Sequence, residues 1–275
     1  MTLNKKRIEG LAKNILAWIV TIVMMTPLAL ITINSFKNQA ESASMSLALP
    51  TEWVFDNFST VIQKGKLVVG FMNSMIYSCS STAIAVLLAT MAAYVFSRRQ
   101  TKVNKALYLY LVLGIVIPIN FVALMKVMQV LRLNNTRFGI VLLYSATQMP
   151  FMCFLIYGFI SKLPTELDEA GIIDGCGPLR LFFLIILPML KPVLISAGVL
   201  CFLNTWNEFV MPLYFLNSTT KWPMTLAVYN FFGQFDKYWN LVCADVLLTS
   251  LPVIILYLAC QKYIIGGQTS GAVKG

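Results

Sequence analysis

The chain contains no histidine, so the usual general base and the commonest metal ligand are both missing. Its cysteines are Cys79, Cys153, Cys176, Cys201, Cys243 and Cys260, and no two form a C-x-x-C pair. Most lie in or beside apolar runs, and we read them as free, buried, small hydrophobes rather than disulfide or zinc partners. No G-x-x-x-x-G-K-[ST] segment is present. Gly266-Gly267-Gln268-Thr269-Ser270-Gly271 looks superficially similar but lacks the lysine, a preceding strand and a following helix. The chain is therefore expected to bind no cofactor, metal or nucleotide and to be no enzyme.

What chemistry remains is that of charge in an apolar setting. Lys126, Lys191, Glu208 and Asp245 stand close to the ends of apolar runs, where snorkelling and interfacial placement account for most of them. A mid-span acid of the kind a proton-coupled carrier buries is not evident, which argues against a secondary transporter. The most informative segment runs from Ser161 to Leu190. Thr165 and Asp168 are spaced for a capping box, and acids at 166, 168 and 169 suit the positive end of a helix dipole. Gly175 suits the left-handed position that ends a helix, Pro178 a following first turn, and Pro188 and Pro192 should kink the next span. The pattern predicts a helix of roughly ten residues outside the hydrocarbon. Leu167, Ala170 and Gly171 share one face, small enough for another surface to approach. By physics alone this is either a docking peg or a solvated connector.

The elements that must carry these residues follow from composition. Of 275 residues, 58% are hydrophobic and 12% charged, and the mean hydropathy is +0.76. A soluble domain carries about twice that charge, so lipid is the expected solvent. Apolar runs of span length occur at Ile15–Ile33, Gly70–Phe96, Ala106–Val127, Gly139–Ile160, Leu181–Leu203 and Cys243–Tyr263. We expect an all-α polytopic membrane protein with six transmembrane helices. Basic residues are dense beside one set of loops (Lys5, Lys6, Arg7, Lys13, Arg98, Arg99, Lys102, Lys105) and sparse in the longer opposite set. By the positive-inside rule both termini are cytoplasmic, as is the short helix between spans four and five. The net charge of +10 is thus a topology signal and not a nucleic-acid patch. The expected division is a cytoplasmic N-terminus (1–13), a transmembrane domain (14–263, core from about 70, with the helix-bearing loop at 161–180) and a cytoplasmic tail (264–275). The outer loop from Lys37 to Val69 holds Pro50, Trp53, Phe55 and Phe58, enough for a short packed or amphipathic element. The outer loop at about 205–242 is rich in aromatics, including Trp206, Trp222 and Trp239.

Glu169-Ala170-Gly171, Gly175 and Ile185-Ile186-Leu187-Pro188 reproduce the spacing E-A-A-x3-G-x9-I-x-L-P, with Gly171 for the second alanine. In this the chain resembles the membrane subunits of binding-protein-dependent ABC importers. Ile173-Asp174-Gly175-Cys176, Trp206-Asn207-Glu208-Phe209 and the ending Gly266 to Gly275 are similar to the carbohydrate branch, of maltose type. The resemblance implies a permease subunit in a bacterial inner membrane, paired with a second homologous permease, two ATPase subunits carrying ATP and Mg, and an extracytoplasmic solute-binding protein, with no nucleic acid. It implies that Glu166, Glu169, Ala170, Gly171, Asp174 and Gly175 form an ATPase-coupling helix. Gly271, Ala272, Val273 and Lys274 would reach the ATPase interface, and the aromatic loop would meet the binding protein. Asn204, Trp206, Asn207 and Glu208 would face the solute path. A permease for a polyamine, glycerol phosphate or peptide is the neighbouring alternative.

Overall fold

A computed structural model describes residues 2–231 and 238–272. Among the described residues, all regular structure is helical. The helices begin with α1 (Thr2–Ser35), α2 (Gln39–Ser42), α3 (Asp56–Lys64), α4 (Leu67–Arg98), α5 (Lys102–Val116) and α6 (Phe121–Val130). They continue with α7 (Arg137–Ile160), α8 (Glu166–Ile173), α9 (Pro178–Leu181), a π-helical turn (Phe182–Ile186), α10 (Leu187–Met189) and α11 (Lys191–Trp206). The last are α12 (Val210–Phe215), α13 (Met224–Ala227) and α14 (Trp239–Ala272).

Among the described residues, four helices are long and apolar enough to cross a membrane: Lys13–Ser35 within α1, α4, α7, and Trp239–Gln261 within α14. Two further pairs qualify only together, α5 with α6 across a bend of 117° and Pro178–Met189 with α11 across 81°. The expected third and fifth spans are therefore not single straight helices, and the count is four to six. Proline explains both breaks. Ile117 precedes Pro118 and is extended (ψ 121°), because a proline ring crowds a helical residue before it. Asn120 then restarts the chain by accepting a hydrogen bond from the Ala123 N–H at 3.0 Å. At the second break Pro188 and Pro192 each occupy the first turn of a new helix, where a missing N–H costs nothing.

The chain forms two compact units. One comprises Met1–Val68 and Ala227–Leu251. In it α1 is exposed along most of its length and ends in a buried polar knot. Lys37 is 2% exposed, and its Nζ donates to Asn34 Oδ1 (3.1 Å) and the Ser46 carbonyl (2.8 Å). Asn57 donates to the carbonyls of Ser35 and Lys37 and accepts from Asn240 at 2.8 Å. Phe36 packs against Trp53, Phe55 and Phe58, so the segment after α1 holds a short packed element.

The second unit comprises Val69–Leu226 and Pro252–Gly275. Its core joins Ala85, Ala89 and Ala93 of α4 to Met152, Cys153, Ile156 and Ile160 of α7 and Val193, Ala197 and Cys201 of α11. Alanine at every fourth position gives α4 a shallow face along which its neighbours approach closely, the packing mode favoured where lipid replaces the hydrophobic drive. The six cysteines are free; Cys153, Cys201 and Cys243 are buried, whereas Cys79 is exposed, contrary to the expectation that it is buried. Asp245 is 1% exposed.

Candidate functional site

Helix α8 is eight residues long. Its start is not the capping box the sequence predicts. Thr165 is itself helical (φ −73°, ψ −21°) with no side-chain cap bond, and its carbonyl accepts the Asp168 N–H at 2.9 Å. The Asp168 carboxylate turns instead toward α4. Tyr94 donates to one oxygen, while Arg98 donates to the other from Nε at 3.0 Å and Nη2 at 2.9 Å. Arg98 Nη1 also donates to the Leu163 carbonyl at 3.2 Å. The carboxylate satisfies charge and hydrogen bonds at once, so it has no reason to fold back onto the helix end.

The far end of α8 follows prediction. Gly175 has φ +79°, a left-handed conformation open to glycine without strain. Its N–H donates to the Ile172 carbonyl at 3.0 Å, and the Cys176 N–H to the Gly171 carbonyl at 2.9 Å, the two bonds of a Schellman motif. Pro178 opens α9 as predicted.

The 3.6-residue period divides α8 into two faces. Asp168 and Gly171 are buried; Glu166, Glu169, Ala170 and Asp174 are exposed. A Cβ on Gly171 would lie 2.5 Å from Leu181 Cδ1 and 2.9 Å from Ile185 Cδ1. Gly171 is therefore small because its own chain lies against it, which corrects the expectation that Leu167, Ala170 and Gly171 together offer a free docking face. The exposed face has a component that sequence reasoning missed: Ile172 is 62% and Ile173 85% exposed, with Leu179 at 66% just beyond the turn. Glu166 and Glu169 stand at the rim of this face, and the aliphatic side chains stand at its tip. Two successive isoleucines followed by Asp-Gly were the available signal. Beside α8 lies a cleft of about 720 Å³ lined by Tyr94, Arg98, Arg99, Thr165, Glu169 and Ile172.

The 204–208 segment is arranged differently. Trp206 is 1% exposed and packs between Phe71 (5.9 Å between ring centroids) and Phe202 (5.6 Å). Its ring is a core element, so it offers no face to a solute path. Glu208 accepts the N–H groups of Val210 (2.8 Å) and Met211 (3.1 Å) at the start of α12, where a carboxylate meets unpaired donors and the helix dipole. Asn204 and Asn207 are exposed, and Asn204 donates to Gln148 Oε1 at 3.4 Å. Gly271 and Ala272 lie in the last turn of α14; Val273 and Lys274 lie outside the described residues.

Residues 85–265 match the family described as binding-protein-dependent transport system inner membrane component. The chain is 34% identical over 264 residues to a melibiose/raffinose/stachyose import permease protein of Bacillus subtilis, covering 95% of each chain. It is 30% identical over 273 residues to a probable starch degradation products transport system permease protein of Thermoanaerobacterium thermosulfurigenes, covering 99% of this chain and all of that one. In fold it is similar to a chain of a bacterial ABC transporter involved in the import of the acidic polysaccharide alginate, with TM-score 0.81, 19% identity, and coverage of 94% and 96%. With apolar helices of span length and this match across both its packed core and α8, the chain belongs to the binding-protein-dependent transport system inner membrane component family and is a multi-pass protein of the inner membrane.

Proposed function

We propose that this chain is one permease subunit of an ATP-driven importer and forms half of the translocation path for a sugar or oligosaccharide. The carrying observation is full-length similarity to permeases named for sugar import, joined to an α8 whose Glu166, Glu169, Ile172 and Ile173 are turned outward. In this reading the chain crosses the membrane six times, the two bent pairs each counting once. Both termini (1–13 and 264–275) are cytoplasmic, on the side of Arg98, Arg99, Lys102 and Lys105.

The chain works with a second, homologous permease, two ATPase subunits that hold ATP and Mg, and an extracytoplasmic solute-binding protein. No nucleotide or metal binds the permease itself. Helix α8 inserts its exposed face into a cleft on one ATPase subunit, with Glu169 facing a basic side chain and Ile172 and Ile173 buried on docking. ATP binding draws the ATPase subunits together and carries α8 with them, so a two-state membrane domain is biased from a distant site. Asn204 and Asn207 face the solute path, and Gly271, Ala272, Val273 and Lys274 extend toward the ATPase interface.

The test is reconstitution. Complexes purified through this chain are put into proteoliposomes with the cognate binding protein and a panel of oligosaccharides, polyamines, glycerol phosphates and peptides. ATP-dependent accumulation of an oligosaccharide, with an ATPase and a second permease in the complex, is the expected result. Accumulation confined to another solute class overturns the sugar assignment, and flux without an ATPase overturns the importer reading.

A further inference from the structure

Helix α8 is held to the membrane core by two unlike contacts. One is apolar and local: Gly171 sits against Leu181 and Ile185, within the same loop and the helix that follows it. The other is polar and distant in sequence. Asp168 is 9% exposed and carries the one ion pair found among the described residues, with Arg98 at 2.9 Å. Arg98 is the last residue of α4, where a cation suits the negative end of the dipole. Tyr94 is one turn earlier on the same face and reaches the second carboxylate oxygen. Its ring also lies 5.5 Å from that of Phe182, in the π-helical turn. Because Arg98 also binds the Leu163 and Pro164 carbonyls at 3.2 and 3.4 Å, it fixes the strand of chain that enters α8 as well as the helix itself.

Directional bonds to both carboxylate oxygens resist sliding and rotation, whereas the methyl contacts at Gly171 resist only compression. Helix α4, at 32 residues, is long enough to run from this point through the whole hydrocarbon layer, and its alanine face packs on α7 and α11. A displacement of α8 therefore bears on α4 through directional bonds, and on Leu181 of α9 and Ile185 only through apolar contact.

We propose that Asp168, Arg98 and Tyr94 form the link through which movement of α8 is transmitted to α4, and that they are positioning residues for transport rather than contacts with the ATPase. This rests on the reading of α8 as the ATPase-docking helix. The link converts docking at the exposed face of α8 into tilting of a span whose small-residue face borders both α7 and α11. Its loss uncouples hydrolysis from solute movement without undocking the ATPase.

The experiment uses the whole complex in proteoliposomes with its binding protein and the oligosaccharide it accumulates, and reads solute taken up per ATP hydrolysed. The near-isosteric Asp168→Asn and Tyr94→Phe probe the bonds, Arg98→Asp removes the pair, and Arg98→Asp with Asp168→Arg restores it in reverse. The expected result is that Asp168→Asn and Arg98→Asp co-purify with the ATPase but lose roughly tenfold or more of the uptake-to-hydrolysis ratio. Tyr94→Phe loses less, and the reversed pair regains most of the ratio. A merely structural role would lower the yield of complex and leave the ratio of the surviving molecules unchanged; that outcome overturns the proposal. So does a reversed pair no better than its single variants. Wild-type vesicles without ATP-driven uptake overturn the functional reading and the link with it, whereas working wild-type vesicles with unaffected variants overturn the link alone.

Discussion

The segments around α8 and at 204–208 pair acidic residues with apolar ones, and the fold treats them in opposite ways. At 204–208 the ring and the carboxylate are consumed internally: Trp206 fills the core between Phe71 and Phe202, and Glu208 closes the start of α12. At α8 only Asp168 and Gly171 turn inward, leaving Glu166, Glu169, Ile172 and Ile173 outside. The difference teaches that residue types favouring a binding site count for little until their internal demands are met. Surplus polar and apolar groups, left over after capping and packing, are what mark a surface for a partner.

Substitutions test this contrast. The largest effect is expected at Trp206. Trp206→Ala empties a fully packed site and should cost roughly 3 kcal/mol or more of stability, seen as a fall in folded, membrane-extracted protein. Uptake per surviving molecule should be unchanged; a selective loss of uptake would return Trp206 to the solute path. Glu169→Lys should do the reverse. It touches no internal partner, so insertion and thermal stability hold while ATP-driven uptake drops about a hundredfold, equivalent to roughly 2.7 kcal/mol of lost docking. Normal uptake at equal expression would make α8 a connector.

Smaller effects complete the series. Glu208→Ala leaves two helix N–H groups unpaired and should lower stability by about 1 kcal/mol, read as a shifted unfolding midpoint of the detergent-solubilised protein, with solute selectivity unaltered. A change in selectivity would assign Glu208 to the path. Gly171→Ala gains about 1 kcal/mol of helix propensity but forces the ends of Leu181 and Ile185 aside. Its net effect should stay within about 1 kcal/mol by the same unfolding measurement. A large loss of uptake there, at unchanged stability, would mean that the buried face of α8 also meets a partner.

Much of α8 was legible in the sequence because its end is set by local chemistry. Gly175 is the residue that a left-handed turn favours, and Pro178, Pro188 and Pro192 mark where helices restart. The bend at Pro118 was equally local, yet counting apolar residues from Ala106 to Val127 ran straight across it, since hydropathy is blind to backbone geometry. The bonding of Asp168 was not legible at all. Its partner Arg98 lies 70 residues away, and from sequence an acid at the third position of a helix reads first as a cap. Trp206 was misread for a related reason: a tryptophan beside Asn207 and Glu208 has the same local pattern whether it faces a solute or the core. Long-range packing decides, and periodicity over a single short segment does not report it.

The most direct test of the central claim asks on which side of the membrane α8 lies and what covers it. Ile173, 85% exposed, is replaced by cysteine in a chain whose six native cysteines are alanine, and membrane vesicles of both orientations are treated with a membrane-impermeant maleimide. The account predicts labelling only in inside-out vesicles stripped of the ATPase, and protection when the ATPase subunits are added back. Labelling of right-side-out vesicles, or labelling in inside-out vesicles that the ATPase leaves unchanged, would contradict it.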